Sequence, residues 1–138
     1  RAAVSKAREV APDLPLLAGG HSFGGRMTST AASESPLEGV RGIAFFSFPL
    51  HLAGKPETKR GEHLKALSVP LLFLSGSRDA LASLDLLRPV CEKLDQATLH
   101  VLDTADHGYK VLKKTRTSPE DVFVEMARVV RDWASTLK

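Results

Sequence analysis

Glycines at positions 19, 20, 24 and 25 bracket His21, Ser22 and Phe23, and this stretch most limits what the chain can become. An apolar run, Leu14 to Ala18, leads into it. A continuous run of that length is the pattern of a strand covered on both faces. The segment from Gly24 to about Ser33 carries Met27, Ala31 and Ala32 but little bulk, which suits a helix lying close to a sheet. Strand, tight turn and helix therefore meet at Ser22. The glycines have a steric reason: a strained turn leaves no room for side chains two residues before or after its apex. A connector with no chemistry would satisfy the same geometry, so the rest of the chain decides its meaning.

The alternation continues downstream. Arg1 to Val10 reads as a helix ended by Pro12. Val40 to Phe48, Val69 to Ser75 and Ala97 to Leu102 are strand patterns rich in Val, Ile, Leu and Phe. Glu62 to Leu67 gives one or two helical turns. From Ser83 to Leu94, Leu84, Leu87, Val90, Cys91 and Leu94 recur at helical spacing, with Pro89 either in the first turn or at a kink. Finally, Ser118 as cap, Pro119 in first position and Asp121 closing a Ser-x-x-Asp box open a helix. Its Val122, Met126, Val129, Val130, Trp133 and Leu137 share one face. Cys91 and Trp133 lie on these apolar stripes and read as core. Strands alternating with helices predict the α/β class, a parallel sheet with flanking helices.

Composition narrows the partners. The chain has 138 residues, 43% of them hydrophobic, the size and content of one globular domain. A net charge of +3 is too small to argue for nucleic acid. The densest basic cluster, Lys110, Lys113, Lys114 and Arg116, has one aromatic neighbour, Tyr109, and reads as a solvated loop. No apolar run approaches the ~20 residues of a membrane span, and no charged-then-apolar leader is visible. A single cysteine excludes an internal disulfide. The expectation is a cytoplasmic protein with no membrane partner. No paired-ligand spacing such as H-E-x-x-H and no nucleotide-binding glycine fingerprint occurs, so no metal or cofactor is expected.

In parallel α/β sheets the chemistry collects in loops at the carboxyl ends of strands. Ser22, Asp79 and His107 all fall in such loops. Gly20-His21-Ser22-Phe23-Gly24 is the G-x-S-x-G pattern of a nucleophile elbow, and the order Ser, Asp, His accompanies it. With Leu72-Phe73-Leu74-Ser75-Gly76-Ser77-Arg78-Asp79 and Ala105-Asp106-His107-Gly108, the sequence resembles the α/β-hydrolase family over nearly its whole length. Phe48-Pro49-Leu50-His51 is similar to its dienelactone-hydrolase-like branch, which includes relatives of testis-expressed protein 30.

The resemblance implies a serine hydrolase that cleaves an ester or related acyl bond of a small molecule through an acyl-enzyme. Ser22 would be the nucleophile, His107 the base, and Asp79 the group that orients the imidazole. The backbone N–H of Phe23 would donate to the oxyanion. It also implies strands ahead of Leu14, with a second oxyanion donor in one of their loops. Residues 1–138 are thus expected to be a single hydrolase-like domain forming the C-terminal part of a longer one. An uncovered nucleophile strand would be an open edge, inviting self-association or a partner chain. The alternative to an enzyme is a non-catalytic hydrolase-like module that binds through this edge or its surface.

Each candidate also has a plainer role. Asp79 suits a helix cap or turn. Asp103, ending the fourth strand, is the rival acid, whereas Asp106 adjoins His107 too closely to orient it. His100 in a strand and His63 in a helical turn are not favoured as bases. His21 reads as a packing or pocket residue placed to touch substrate, and His51, after the second strand, equally as a second substrate contact or an ordinary loop histidine.

Overall fold

The computed structural model describes residues 1–138. Helix α1 (Ala2–Val10) precedes strand β1 (Leu16–His21), which passes through the Ser22 turn into α2 (Phe23–Glu34). Strand β2 (Val40–Phe46), a 3-10 helix (Lys59–Ala66) and strand β3 (Leu71–Gly76) follow. Helix α3 (Leu84–Glu92), strand β4 (Ala97–Leu102) and helix α4 (Val122–Ala134) complete the chain. The strands are parallel and ordered β1-β2-β3-β4. All four carboxyl ends therefore lie along one rim, in the α/β architecture that the alternation predicts.

Successive side chains of a strand point to opposite faces, and here they feed two cores. Ile43, Phe45, Leu71 and Phe73 meet Ala32 of α2, Leu64 of the 3-10 helix, and Leu87 and Cys91 of α3. Phe45 anchors this side, 4.6 Å from Phe73 and 5.1 Å from Phe48 between ring centroids. Burial pushes the Cys91 thiol up to about 12, in keeping with a core role. Ala44, Leu72 and Leu74 face the other way, against Val122, Met126 and Trp133 of α4. A Cβ on Gly42 would stand 2.7 Å from the Trp133 ring, so this glycine lets α4 seat on the sheet. Every residue of β3 is buried and none of β1 is, because β1 lies at an edge of the sheet. No helix is long and apolar enough to cross a membrane.

Several local expectations shift. β1 starts later than its apolar run, leaving Leu14 exposed, and pairs onward through Gly20↔Phe45 and His21↔Phe46. The ladder outweighs glycine's poor strand propensity. β2 stops at Phe46 rather than Phe48, because Ser47 turns into the left-handed region at φ 58°. Pro89 lies inside α3, beyond its first turn. The last helix begins at Val122 rather than Pro119. Asp121, not Ser118, caps it by accepting the N–H groups of Phe123 and Val124. A carboxylate there satisfies free donors and also faces the positive end of the helix dipole. Ser118 only closes a local turn on the Glu120 N–H. Arg116 is not solvated: its side chain is buried in an ion pair with Glu125, whose other oxygen lies 2.8 Å from His100 Nε2.

Candidate active site

The site starts from the backbone at the end of β1. The Ser22 N–H donates to the Phe46 carbonyl at 2.8 Å, and the chain then turns at Ser22 with φ 50° and ψ −120°. This conformation is strained for a residue with a Cβ and needs packing to hold it. The packing is glycine against glycine. A Cβ on Gly20 would lie 2.8 Å from backbone atoms of Gly24 and Gly25, and one on Gly25 would lie 2.5 Å from the Gly20 carbonyl oxygen. A Cβ on Gly19 would run into the Ala44 carbonyl. Gly24 meets nothing within 4 Å. The steric demand expected two residues after the apex therefore falls three residues after it, where α2 crosses β1.

Above this turn the structure brings Ser22, Asp79 and His107 together. His107 Nε2 lies 2.8 Å from Ser22 Oγ, and His107 Nδ1 lies 2.9 Å from each Asp79 carboxylate oxygen. The Asp79 side chain is fully buried and also accepts the Leu81 N–H at 2.8 Å. A carboxylate only accepts, so Nδ1 carries the imidazole proton and the Nε2 lone pair faces the serine. Phe23 opens α2, so its N–H has no intrahelical partner, and no side chain caps that end. Its N–H is thus free to serve an oxyanion.

Two residues shape the His107 loop in ways that spacing alone did not disclose. Asp106, too near to be the acid, folds the loop: its Oδ1 accepts the N–H groups of Gly108 and Lys110, both at 2.9 Å. Those bonds, with Lys110's the larger, hold its carboxyl below the usual range. The signal was present as an aspartate two residues before a glycine, an Asx-turn pattern. His21 is exposed beside the site, and its Nε2 lies 3.1 Å from the His107 carbonyl oxygen. A carbonyl only accepts, so His21 donates there and latches β1 to the loop.

The remaining candidates lie elsewhere. His51, expected to touch substrate, packs against the loop that follows Asp79, its backbone N–H donating to the Leu81 carbonyl at 3.0 Å. It is buried, with Nδ1 against its neighbour Leu52's carbonyl at 2.8 Å and Nε2 accepting the Ser83 N–H at 3.0 Å, so neither ring nitrogen is left for a ligand. Asp103 is tied up by the Thr117 N–H and hydroxyl, which hold its carboxyl low. His63 pairs with Ser29 and His100 with Glu125. No three His, Cys, Asp or Glu side chains gather as a metal site. A cavity of about 650 Å³ lies at the amino ends of the strands, lined by Arg8, Pro15, Arg41 and Pro70, and contains none of the three residues.

A family model for the alpha/beta hydrolase domain matches residues 1–135, and the chain belongs to that family. Solved structures agree on the fold. The esterase domain of a Rhodothermus marinus protein superposes with a TM-score of 0.70 at 19% identity, covering 99% of this chain and 67% of that one. Paleococcus ferrophilus monoacylglycerol lipase gives 0.65 at 15% identity, covering 95% of this chain and 73% of that one. An alpha-beta serine hydrolase homologue from Coxiella burnetii gives 0.60 at 15% identity, covering 77% of this chain and 47% of that one. The chain thus spans about half to three quarters of the length of these relatives.

Proposed function

We propose that this chain carries the catalytic residues of a serine hydrolase acting on an ester or related acyl bond of a small molecule. The observation that carries the reading is the unbroken Ser22–His107–Asp79 contact line, 2.8 Å then 2.9 Å, in the chemically useful tautomer. His107 Nε2 removes the hydroxyl proton as Ser22 Oγ attacks the acyl carbon. Asp79 stabilises the imidazolium, and the Phe23 N–H donates to the oxyanion. Collapse of the tetrahedral species breaks the acyl–oxygen bond, and His107 returns the proton to the departing alcohol. Water, deprotonated by the same nitrogen, then releases the acid from acyl-Ser22. Relatives described as an esterase domain and a monoacylglycerol lipase support the choice of an ester bond.

In this reading residues 1–138 are one hydrolase-like domain, the C-terminal part of a longer one whose earlier strands cover β1 and add the second oxyanion donor. The greater length of the solved relatives supports that arrangement. The Phe48–His51 segment supports placement in the dienelactone-hydrolase-like branch, and the single cysteine supports a cytoplasmic setting. A non-catalytic module would tolerate a Ser22–His107 separation beyond about 4 Å; the 2.8 Å contact favours catalysis. A fluorophosphonate probe is expected to label Ser22, with labelling lost in Ser22→Ala. A folded protein whose Ser22 stays unmodified would remove the enzymatic reading and leave the binding module.

A further inference from the structure

Two hydroxyls beside the triad have no part in the chemistry above. Ser47 ends the run of β2, and Tyr109 lies two residues beyond His107. Ser47 is 0% exposed and Tyr109 8%, and neither side-chain oxygen has a hydrogen-bond partner. Buried hydroxyls are ordinarily paired, so two unpaired ones together need an explanation. Both backbones are left-handed as well, at φ 58° and 67°. The other non-glycine residues in that region are Ser22 and Thr104, so all four sit in loops at the carboxyl rim. Strain of this kind persists where the surroundings hold a functional geometry.

The two side chains are neighbours. Burial pushes the Tyr109 phenol up to about 12; the Ser47 hydroxyl pulls it partly back and the charge of Asp79 pushes it up again. Tyr109 therefore lies within electrostatic reach of the triad's acid. Its ring centroid is 5.8 Å from that of His21, which is 5.5 Å from His107, and its far side meets Phe123 edge-on at 6.2 Å. The ring is thus packed on two sides, and only the hydroxyl end lacks a partner.

We propose that Ser47 and Tyr109 are positioning residues for His107, their hydroxyls closing into a buried hydrogen bond that ties the loop after His107 to the end of β2. A serine hydroxyl proton rotates to suit its partner, and a small side-chain turn closes the contact. The His107 loop is then held from three directions: Asp79 holds Nδ1, His21 holds the carbonyl, and Ser47 holds the following turn through Tyr109. This inference rests on the serine-hydrolase reading, because its purpose is to keep Nε2 within reach of Ser22 Oγ.

The test compares wild type, Tyr109→Phe, Ser47→Gly and the double variant. Tyr109→Phe keeps the ring packing, and Ser47→Gly removes the hydroxyl while relieving a left-handed backbone, so neither change is built to misfold. Each single variant is expected to lower kcat for p-nitrophenyl acetate, and the rate of fluorophosphonate labelling, by about tenfold with KM unchanged, the scale of one lost hydrogen bond. The double variant is expected to lose no more than a single one, since both changes remove one contact. The downfield proton resonance of His107 Nδ1–H, which requires no turnover, should broaden in all three. Wild-type rates with that resonance unchanged, or losses that multiply in the double variant, overturn the inference and leave the hydrolase reading intact. An unlabelled wild-type Ser22 overturns the hydrolase reading, and the resonance then still decides whether the tie exists.

Discussion

The molecule contains two serine–histidine contacts of the same length, and only one has the form of a catalytic pair. Ser22 Oγ and Ser29 Oγ each lie 2.8 Å from a histidine Nε2, of His107 and His63 respectively. Both serines belong to one short stretch, two turns of α2 apart. Ser29 lies within the helix, fully buried, and its hydroxyl donates to the Arg26 carbonyl at 2.9 Å. Its hydroxyl is thereby tied into the backbone of its own helix. Behind His63 lies the Arg60 backbone carbonyl rather than a carboxylate; burial and then Arg26 hold its pKa down, and the Arg60 carbonyl opposes them. His107 instead has Asp79 behind Nδ1 and a lone pair toward Ser22. What separates the two pairs is the third group and the burial of Ser29 in its helix, not the distance.

The largest expected effect breaks the comparison outright. Ser22→Ala should abolish covalent labelling, while Ser29→Ala should leave it unchanged and cost about 1–3 kcal/mol of stability by leaving a histidine nitrogen unpaired. Asp79→Asn should slow labelling by about 10⁴, because an amide behind Nδ1 favours the wrong tautomer. Labelling rates measured beside denaturant melts separate these outcomes. Equal loss of labelling in Ser22→Ala and Ser29→Ala would show that fold integrity, not nucleophilicity, was being read.

A smaller effect concerns the turn that raises Ser22 and leaves Ser29 in the helix. In Gly25→Ala the new Cβ meets the Gly20 carbonyl oxygen at 2.5 Å, backbone against side chain with nothing flexible to yield. A loss of about 1–3 kcal/mol is expected, and labelling should fall with it as Ser22 leaves its strained position. Gly24→Ala meets nothing within 4 Å, so its melting midpoint should stay within about 0.5 kcal/mol of wild type or rise slightly. The reverse ranking would mean that crowding at Gly24, and not the α2–β1 crossing, sets the turn.

The contrast between the two pairs also marks how far the sequence could be read. Ser22 was legible because glycines, an apolar run and a small-residue segment all point to one turn. Asp79 and His107 were legible because strand patterns place them on the same rim. His51 looked equivalent on that criterion, yet its partner is the backbone of Ser83, thirty-two positions away, and local pattern carries no trace of such a bond. The helix start slipped because Ser118 and Asp121 are both good caps, and only packing of Val122 and Met126 on the sheet chooses between them. Ser47 and Tyr109 were invisible as a pair, since nothing in either residue type announces a left-handed backbone.

The smallest expected effect sharpens the comparison through pH. Burial holds the folded-state pKa of His63 below the ordinary histidine value of about 6.5, so the unfolded chain takes up a proton first as pH falls. The stability contribution is fully present above about pH 6.5 and is lost as pH drops through that value toward the lowered one. His63→Gln keeps a polar partner for Ser29 but cannot titrate, so its unfolding free energy should fall less steeply between about pH 7 and 5. Arg26→Met removes only the second-largest cause and leaves burial in place, so its slope should lie between those of wild type and His63→Gln. Labelling of Ser22 in His63→Gln at neutral pH should match wild type, because the His63 ring pairs with Ser29 and the Arg60 carbonyl and not with Ser22. A wild-type slope in His63→Gln would mean that His63 titrates as a solvated residue. The burial of His63, part of the distinction between the two pairs, would then carry no linkage to pH.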